Sequence, residues 1–220
     1  MGLDFQVILD FLPLFLRGIQ TTLLLSFLTL IFGLALGVPI AFIRLGKNKV
    51  LSQLLKVYVD VIRGTPLLLQ LYIFAYAIPL TFSSISLTPF QAGIIALGLN
   101  SSAYVSEIIR SGIQAVEKGQ AEGGLSLGLS SIQVFRKIVL PQAIKNVLPA
   151  LGNEFITIVK ESSIVSIVGI VDIMRVADQI KAATFRVFEA LIIAGILYYL
   201  ITKTLAILIS KLESRLAIND

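Results

Sequence analysis

The sequence predicts an all-α integral membrane protein with five transmembrane helices and one long polar loop. Of the 220 residues, 56% are hydrophobic and 14% are charged, and the mean hydropathy is +0.93. Soluble domains carry about 25% charged residues. Apolar runs of about 20 residues, which is the length needed to cross the hydrocarbon of a bilayer, recur along the chain. Residues 111–141 interrupt these runs and are too polar to span a membrane.

The five predicted spans form one domain, residues 1–220. They cover residues 19–43, 57–82, 90–109, 147–174 and 187–209. Before the first span, Phe5 to Leu16 is predicted to form a short interfacial helix, because Pro13 would bend or break a helix there. Near the start of the second span, the run Arg63-Gly64-Thr65-Pro66 predicts either a kink or a fresh helix N-terminus.

The composition excludes several classes of protein. The chain has no Cys and no His, so it lacks the usual proton shuttle at neutral pH and the commonest metal ligands. No metal site is expected, and most hydrolytic enzymes are disfavoured. The net charge of +5 does not indicate nucleic acid, because the cations flank apolar spans.

The distribution of Lys and Arg predicts the orientation. With five spans, four cations fall on one side of the membrane, namely Arg17, Arg175, Lys181 and Arg186. Thirteen fall on the other: Arg44, Lys47, Lys49, Lys56, Arg63, Arg110, Lys118, Arg136, Lys137, Lys145, Lys203, Lys211 and Arg215. The positive-inside rule therefore places the 111–141 loop and the carboxyl terminus in the cytoplasm, and the amino terminus outside.

The 111–141 loop is predicted to form two short helices. The first runs into Gly128, which tolerates a left-handed turn. The second begins at Ser130 or Ser131, exposes Phe135 and Ile138, and stops at Pro141. Such a pair could offer a docking surface to another protein or lie on lipid headgroups, and the pattern alone leaves both open.

Span four contains polar residues where a membrane helix seldom has them. A charge at mid-bilayer costs about 2.5–3.5 kcal/mol on insertion scales, so such groups face protein or water. Glu154 and Glu161 share one helical face, and Asn153 and Lys160 share another. Ser162 and Ser163 follow directly. Lys160 either pairs with a carboxylate such as Glu154 or takes part in a binding site.

Spans two and three supply further polar groups at similar depth, namely Gln70, Asn100 and Tyr104. Buried amides need partners, so they either bridge helices or bind a ligand. Several such groups together favour the ligand. An amino acid fits this chemistry: Glu161 would hold an ammonium or guanidinium group, and amides, helix N-termini or Lys160 would hold the carboxylate.

Two stretches resemble a known family. Glu122-Gly123-Gly124, Gly128, Phe135, Ile138, Leu140 and Pro141 resemble the EAA loop of membrane subunits of bacterial ABC importers, with Gly123 and Gly124 where alanines are usual. Arg63-Gly64-Thr65-Pro66, Gln70, Gln142-Ala143, Pro149, Asn153 and Lys160-Glu161-Ser162-Ser163-Ile164 resemble the polar amino-acid permeases within that family, whose usual last run is Lys-Asp-Thr-Ser-Leu.

The resemblance implies an ABC type I importer fold in a bacterial inner membrane and a permease subunit for a polar amino acid. Glu161 either favours a cationic substrate or binds only the α-ammonium group that all amino acids share. The implied substrate-binding residues are Glu161, Lys160, Ser162, Ser163, Asn100, Tyr104, Asn153 and Gln70. The implied ATPase-docking residues are Glu122, Gly123, Gly124, Gly128, Phe135, Ile138 and Pro141.

The resemblance also implies partners. They are two copies of a cytoplasmic ATPase that holds ATP and Mg²⁺, a second permease chain (identical or paralogous), an extracellular substrate-binding protein, and membrane lipid. No cofactor is expected in this chain, because no G-x-x-x-x-G-K-[ST] nucleotide-binding run occurs in it. The chain is therefore expected to be a transport subunit and not an enzyme. The alternative is an ion-coupled secondary carrier, which would use Lys160 and Glu161 but usually has internal repeats.

Overall fold

The structure of the protein is a computed structural model that describes residues 10–217. The described backbone is helical with short connections and contains no strand, as the sequence predicts. The first nine residues, which include part of the expected interfacial helix at Phe5 to Leu16, lie outside the described part.

Helix α1 spans Leu12–Leu45 and is longer than the predicted span 19–43. The prediction that Pro13 would break a helix here was wrong, because Pro13 lies in the first turn of α1. A backbone N–H in that turn has no partner within the helix, so its loss costs nothing.

Helix α2 (Lys49–Gly64) and helix α3 (Leu67–Thr81) occupy the place of the second predicted span, 57–82. Their axes are bent by 103° at the break between them. Pro66, in extended backbone, stands directly before α3, which contains a π-helical turn at Ile73–Ala77. The Arg63–Pro66 run therefore opens a new helix N-terminus and does not merely kink one span.

Helix α4 spans Pro89–Gln114, around the predicted 90–109. The side chains of Thr88 and Gln91 cap its first turn reciprocally. Gly37 of α1 faces α4, and a Cβ added at Gly37 would lie 2.8 Å from the carbonyl oxygen of Ser102. Glycine at this position allows the two long helices to approach closely.

The polar loop forms two short helices, α5 (Lys118–Ser126) and α6 (Ser131–Val134), as predicted. Gly128 between them has φ of 82°, in the left-handed region that glycine tolerates. The hydroxyl of Ser130 accepts a hydrogen bond from the backbone N–H of Gln133 and so caps α6.

The second helix does not stop at Pro141, contrary to the prediction. It continues through a π-helical turn, Phe135–Val139, into α7 (Leu140–Glu161). In the π turn the Leu140 N–H donates to the carbonyl of Phe135, five residues back. This wider turn, together with the place of Pro141 in the first turn of α7, lets the helical path run on past the proline.

The predicted span 147–174 is not one helix, because α7 ends at Glu161. A 3₁₀ helix, Ser162–Val168, follows it and ends at Gly169, where φ is 91°. The Ser162 and Ser166 hydroxyls each donate to a carbonyl three residues back, at 2.8 Å. Such side-chain bonds compete with the regular α-helical ladder and accompany the tightening of the helix here.

Helix α8 (Ile173–Thr184) and helix α9 (Val187–Ala217) complete the described chain. Asp172 caps α8 by accepting from the Arg175 N–H at 2.8 Å, and its other oxygen accepts from the Tyr198 hydroxyl at 3.1 Å. This buried carboxylate fastens α8 to α9.

Within residues 10–217, helices α1, α4 and α9 are long and apolar enough to cross a membrane, and the α2–α3 pair makes a fourth. Helix α7 carries too many polar residues to qualify by the same measure. It nevertheless runs antiparallel to α4: Asn146 donates to the Gly112 carbonyl near the end of α4, and Glu154 accepts from Ser101 near its middle. The total of five spans stays a prediction.

Candidate translocation site and docking loop

The break between α2 and α3 is bonded to the middle of α4 by two buried amides. Gln70 Nε2 donates to the Ile62 carbonyl at 2.8 Å and to Thr65 Oγ1 at 3.0 Å. Asn100 Nδ2 donates to Gln70 Oε1 at 3.2 Å. The sequence left open whether these amides bridge helices or bind a ligand. In the structure they bridge helices. Gln70 and Asn100 therefore position the bend beside the centre of the bundle.

A narrow gap, too small to hold a water molecule, lies next to this bridge. We call it the central gap; it is lined by Thr29, Leu67, Leu97, Asn100, Ser101, Glu154, Ile158 and Glu161. Ser101 Oγ donates to Glu154 Oε1 at 3.2 Å. The buried Thr29 hydroxyl has no hydrogen-bond partner among the described residues. The central gap thus brings two carboxylates and an unsatisfied hydroxyl together.

Glu161 also opens onto a wider cleft of about 640 Å³, which we call the side cleft. Its lining residues are Pro66, Leu67, Leu68, Glu161, Ser163, Ile164, Ser166, Ile167, Met174 and Asp178. Glu161 and Leu67 line both spaces, so the central gap and the side cleft are adjacent. A polar solute in the side cleft would be within reach of Glu161.

The other predicted substrate residues do not all face these spaces. Lys160 and Asn153 are exposed on another side of α7. Lys160 forms no ion pair within residues 10–217, so its expected pairing with Glu154 is not seen. Ser162 is buried, and its hydroxyl donates to the Val159 carbonyl. Ser163, in contrast, lines the side cleft.

Tyr104 lies apart from the central gap, under the guanidinium of Arg63. The Arg63 Cζ is 5.1 Å from the ring centroid of Tyr104, a distance at which a cation is attracted to an aromatic face. Tyr104 is one helical turn from Asn100, on the α2 side of α4. Its ring therefore contacts a cation of the protein itself.

Three arginines from three helices surround Glu107 on α4. Arg44 Nη2 lies 2.9 Å and Arg63 Nη1 lies 4.0 Å from Oε1, and Arg110 Nη2 lies 2.7 Å from Oε2. The side chain of Arg44 is only 7% exposed and also donates to Ser106 Oγ at 3.1 Å. Glu107 thereby connects the ends of α1 and α4 and the end of α2.

Sequence reasoning missed Thr29 and Ser101 as members of the site, and it considered Glu154 only as a partner of Lys160. One signal was available for Glu154, because it shares a helical face with Glu161, seven residues away. No comparable signal marked Thr29, since a threonine in an apolar span usually bonds its own helix.

The two glycines at the usual alanine positions of the docking loop have different surroundings. Gly123 is exposed, and a Cβ added there would meet nothing within 4 Å. Gly124 is buried, and a Cβ there would lie 2.6 Å from Ile138 Cδ1 and 3.0 Å from Val134 Cγ2. Helix α5 therefore packs against the second helix through Gly124.

The expected exposure of Phe135 and Ile138 was wrong. Both are partly buried, and the Phe135 ring makes an edge-to-face contact with Phe42 of α1 at 6.2 Å. The exposed apolar side chains come instead from the connection between α5 and α6, where Leu127 is 85% exposed, and from Ile132, which is 70% exposed. Glu122, Gly123, Gly128 and Pro141 are exposed as well.

Comparisons with known proteins agree with this architecture. Residues 33–218 match the family described as binding-protein-dependent transport system inner membrane component. The arginine transport system permease protein ArtQ of Bacillus subtilis (strain 168) is 40% identical over 100% of both chains. The putative glutamine transport system permease protein GlnP of Rickettsia felis is 38% identical over 98% of this chain and all of its own.

A solved structure, described as the crystal structure of an amino acid ABC transporter with histidines, superposes with a TM-score of 0.93. It is 44% identical and covers 98% of this chain and 100% of its own. This similarity confirms the predicted ABC type I importer fold.

The all-helical bundle, its two-helix loop and these matches together identify the permease subunit of an ABC importer. The chain belongs to the family of binding-protein-dependent transport system inner membrane components. It is accordingly an ABC importer permease and not an ion-coupled secondary carrier. It is a transport subunit, and the ATPase is a separate chain.

Proposed function

We propose that this permease imports a polar amino acid and prefers a cationic one. The observation that supports this most directly is the pair of carboxylates, Glu154 and Glu161, on one face of α7 at the central gap. Neither forms an ion pair within residues 10–217. Carboxylates without an ion-pair partner favour a cationic group as their ligand. Relatives named for arginine and glutamine transport fit a shared amino-acid site.

The two ends of the substrate would meet different groups. Glu161, at the junction of the central gap and the side cleft, binds the ammonium or guanidinium group. Glu154, with Ser101 and Thr29, receives it when the gap opens. The remaining predicted residues have two roles. Ser163, which lines the side cleft, offers a hydrogen bond to the carboxylate end, whereas Gln70, Asn100, Tyr104 and Ser162 hold the surrounding helices in position. Asn153 and Lys160 lie on another side of α7 and would meet the carboxylate end only where the pathway reaches that side.

The α5–α6 loop would be the docking site for the ATPase. Leu127 and Ile132 form its exposed apolar tip, and Glu122, Gly123, Gly128 and Pro141 are further exposed residues of the same segment. Gly124 and Ile138 pack the two halves of the loop together, and Phe135 packs the loop against Phe42 of α1. ATP and Mg²⁺ bind to the ATPase, and its closure moves α5 and α6. Because α6 continues into α7 without a break, this movement reaches Glu154 and Glu161.

In the assembled importer the α5–α6 side of the membrane would be cytoplasmic. The carboxyl terminus lies on that side, and the amino terminus faces outward, as the excess of Lys and Arg indicates. Two ATPase copies bind below two permease chains, either identical or paralogous. An extracellular binding protein delivers the substrate, lipid surrounds the apolar helices, and no nucleic acid takes part.

The test is amino-acid-stimulated ATP hydrolysis by the reconstituted complex with its binding protein. Glu161→Gln and Glu154→Gln are expected to abolish stimulation by arginine while the ATPase still co-purifies. Glu117→Gln, a matched change of an exposed carboxylate at the start of α5, keeps it. Normal stimulation in both α7 variants would remove the carboxylates from the site.

A further inference from the structure

Helix α2 has three distinct faces. Successive residues of a helix are about 100° apart, so Lys49, Gln53, Lys56, Asp60 and Arg63 fall within an arc of about 80°. We call this set the polar stripe; all five residues are exposed. A second exposed arc, centred about 110° away, is entirely apolar. It consists of Val50, Leu54, Val57 and Val61.

The third face attaches α2 to the bundle. Val59 is buried, and the Tyr58 hydroxyl lies 3.1 Å from the Leu99 carbonyl and 2.8 Å from Ser102 Oγ, near the middle of α4. At the other end, Ser52 Oγ donates to the Arg44 carbonyl at the end of α1. Helix α2 thus contacts the end of α1 at Ser52 and the middle of α4 at Tyr58.

Charged residues on such a path cannot face lipid. Lys56 and Asp60 form no ion pair within residues 10–217, although one turn of helix separates them. Unpaired charges within a membrane are found where they face water or a polar cavity. The apolar arc beside them suits lipid or another apolar surface. The two exposed arcs of α2 therefore require different surroundings.

The polar stripe also leads to the central gap. Its last member, Arg63, follows Ile62, whose carbonyl accepts from Gln70, and Gln70 is bonded to Asn100, which lines that gap. Its first member, Lys49, follows closely after the end of α1, where Phe42 contacts Phe135 beside α6. The stripe carries both signs of charge, since Asp60 lies between Lys56 and Arg63, and so presents groups for both charged ends of an amino acid.

We propose that the polar stripe of α2 is one wall of a water-filled route from the central gap to the α5–α6 side, along which the substrate leaves. The direction of travel rests on the proposed function, whereas the contact with water does not. The alternative occupants of this face are a second permease chain and the ATPase.

The chain has no native cysteine, so each single-cysteine variant carries one thiol on this subunit. Gln53→Cys, Lys56→Cys and Asp60→Cys probe the stripe, and Leu54→Cys, Val57→Cys and Val61→Cys are matched controls on the apolar arc. A membrane-impermeant thiol reagent is applied to the whole complex in vesicles from the α5–α6 side. Lys47→Cys, in the exposed loop before α2, reports that the reagent has access.

Stripe positions are expected to react at least about tenfold faster than the apolar arc, because the reagent attacks the thiolate, which does not form in hydrocarbon. Equal rates on both arcs would overturn the proposal. No reaction on the stripe while Lys47→Cys is labelled would also overturn it, since another chain would then cover the stripe. Amine labelling of native Lys56, followed by peptide mass spectrometry, repeats the test without substitution.

The exit role has a separate readout. A bulky adduct on Asp60→Cys is expected to stop amino-acid uptake, whereas the same adduct on Lys47→Cys leaves uptake unchanged. Full modification of Asp60→Cys with normal uptake would overturn the route while leaving the proposed substrate site intact. If arginine does not stimulate ATP hydrolysis by the unmodified complex, that result counts against the proposed function alone.

Discussion

Gly124 of α5 lies directly under Ile138 of the π-helical turn, so closely that a methyl group on Gly124 would come within 2.6 Å of Ile138 Cδ1. This contact joins the two halves of the loop proposed to dock the ATPase. A movement of α5 would therefore be passed to the helical path that continues into α7, on which both candidate substrate carboxylates lie.

Gly124→Ala should disrupt the packing of α5 against Ile138. Overpacking of this kind costs about 1–3 kcal/mol, and we expect a lower melting temperature of the complex and a smaller substrate stimulation of ATP hydrolysis. Gly123→Ala is the matched control: nothing surrounds that position, and alanine gains up to about 1 kcal/mol of helix propensity. Equal behaviour of the two variants would contradict the packing described for Gly124.

Leu127→Asp and Ile132→Asp should release the ATPase without destabilising the permease, because both side chains are exposed in the free subunit. Phe135→Asp should lower the stability of the permease itself, because its ring contacts Phe42. Co-purification of the ATPase, measured beside thermal unfolding of the permease alone, separates these effects. A complex that survives both tip substitutions would exclude this tip as the docking surface.

Glu107→Gln should destabilise the helix ends strongly. It leaves the buried Arg44 without its charged partner, and breaking a buried pair in this way costs about 3–5 kcal/mol. Arg63→Gln should cost much less, since Arg63 is 42% exposed and its nearest guanidinium nitrogen is 4.0 Å from Glu107. Denaturation in detergent compares the two variants, and similar losses would show that Arg44 is not the dominant partner.

Thr29→Val tests whether the unsatisfied hydroxyl serves the ligand. Burying a hydroxyl without a partner costs about 1–3 kcal/mol in proteins, so the valine variant should unfold at the same or a higher temperature than the wild type. Its affinity for the amino acid should fall about tenfold if the ligand bonds Thr29, which corresponds to one hydrogen bond of about 1.4 kcal/mol.

Thr29→Ser retains the hydroxyl and should retain most of the affinity. Calorimetric titration of the complex provides both measurements. An unchanged affinity in Thr29→Val would mean that Thr29 lines the gap without binding the ligand.

Local patterns were sufficient for much of the fold. Hydropathy located the long apolar helices. Helices α4 and α9 begin at or next to the predicted first residues and extend beyond the predicted last residues. Gly128 and Ser130 predicted the turn between α5 and α6 correctly, because a left-handed residue and an N-cap are local requirements of the backbone. The effects of Pro13 and Pro141 were predicted wrongly, since a proline is tolerated in a first turn or next to a wider π turn.

What the sequence by itself determined is a helical membrane protein, the positions of its polar residues along the chain and the turn between the two short loop helices, because burial in lipid and backbone chemistry act residue by residue. Only the tertiary structure decided which polar residues meet. The antiparallel contact of α4 with α7 brings Ser101 to Glu154, and the crossing of α1 places Thr29 in the same gap. Such convergence depends on how separate helices cross, and no single helix contains that information.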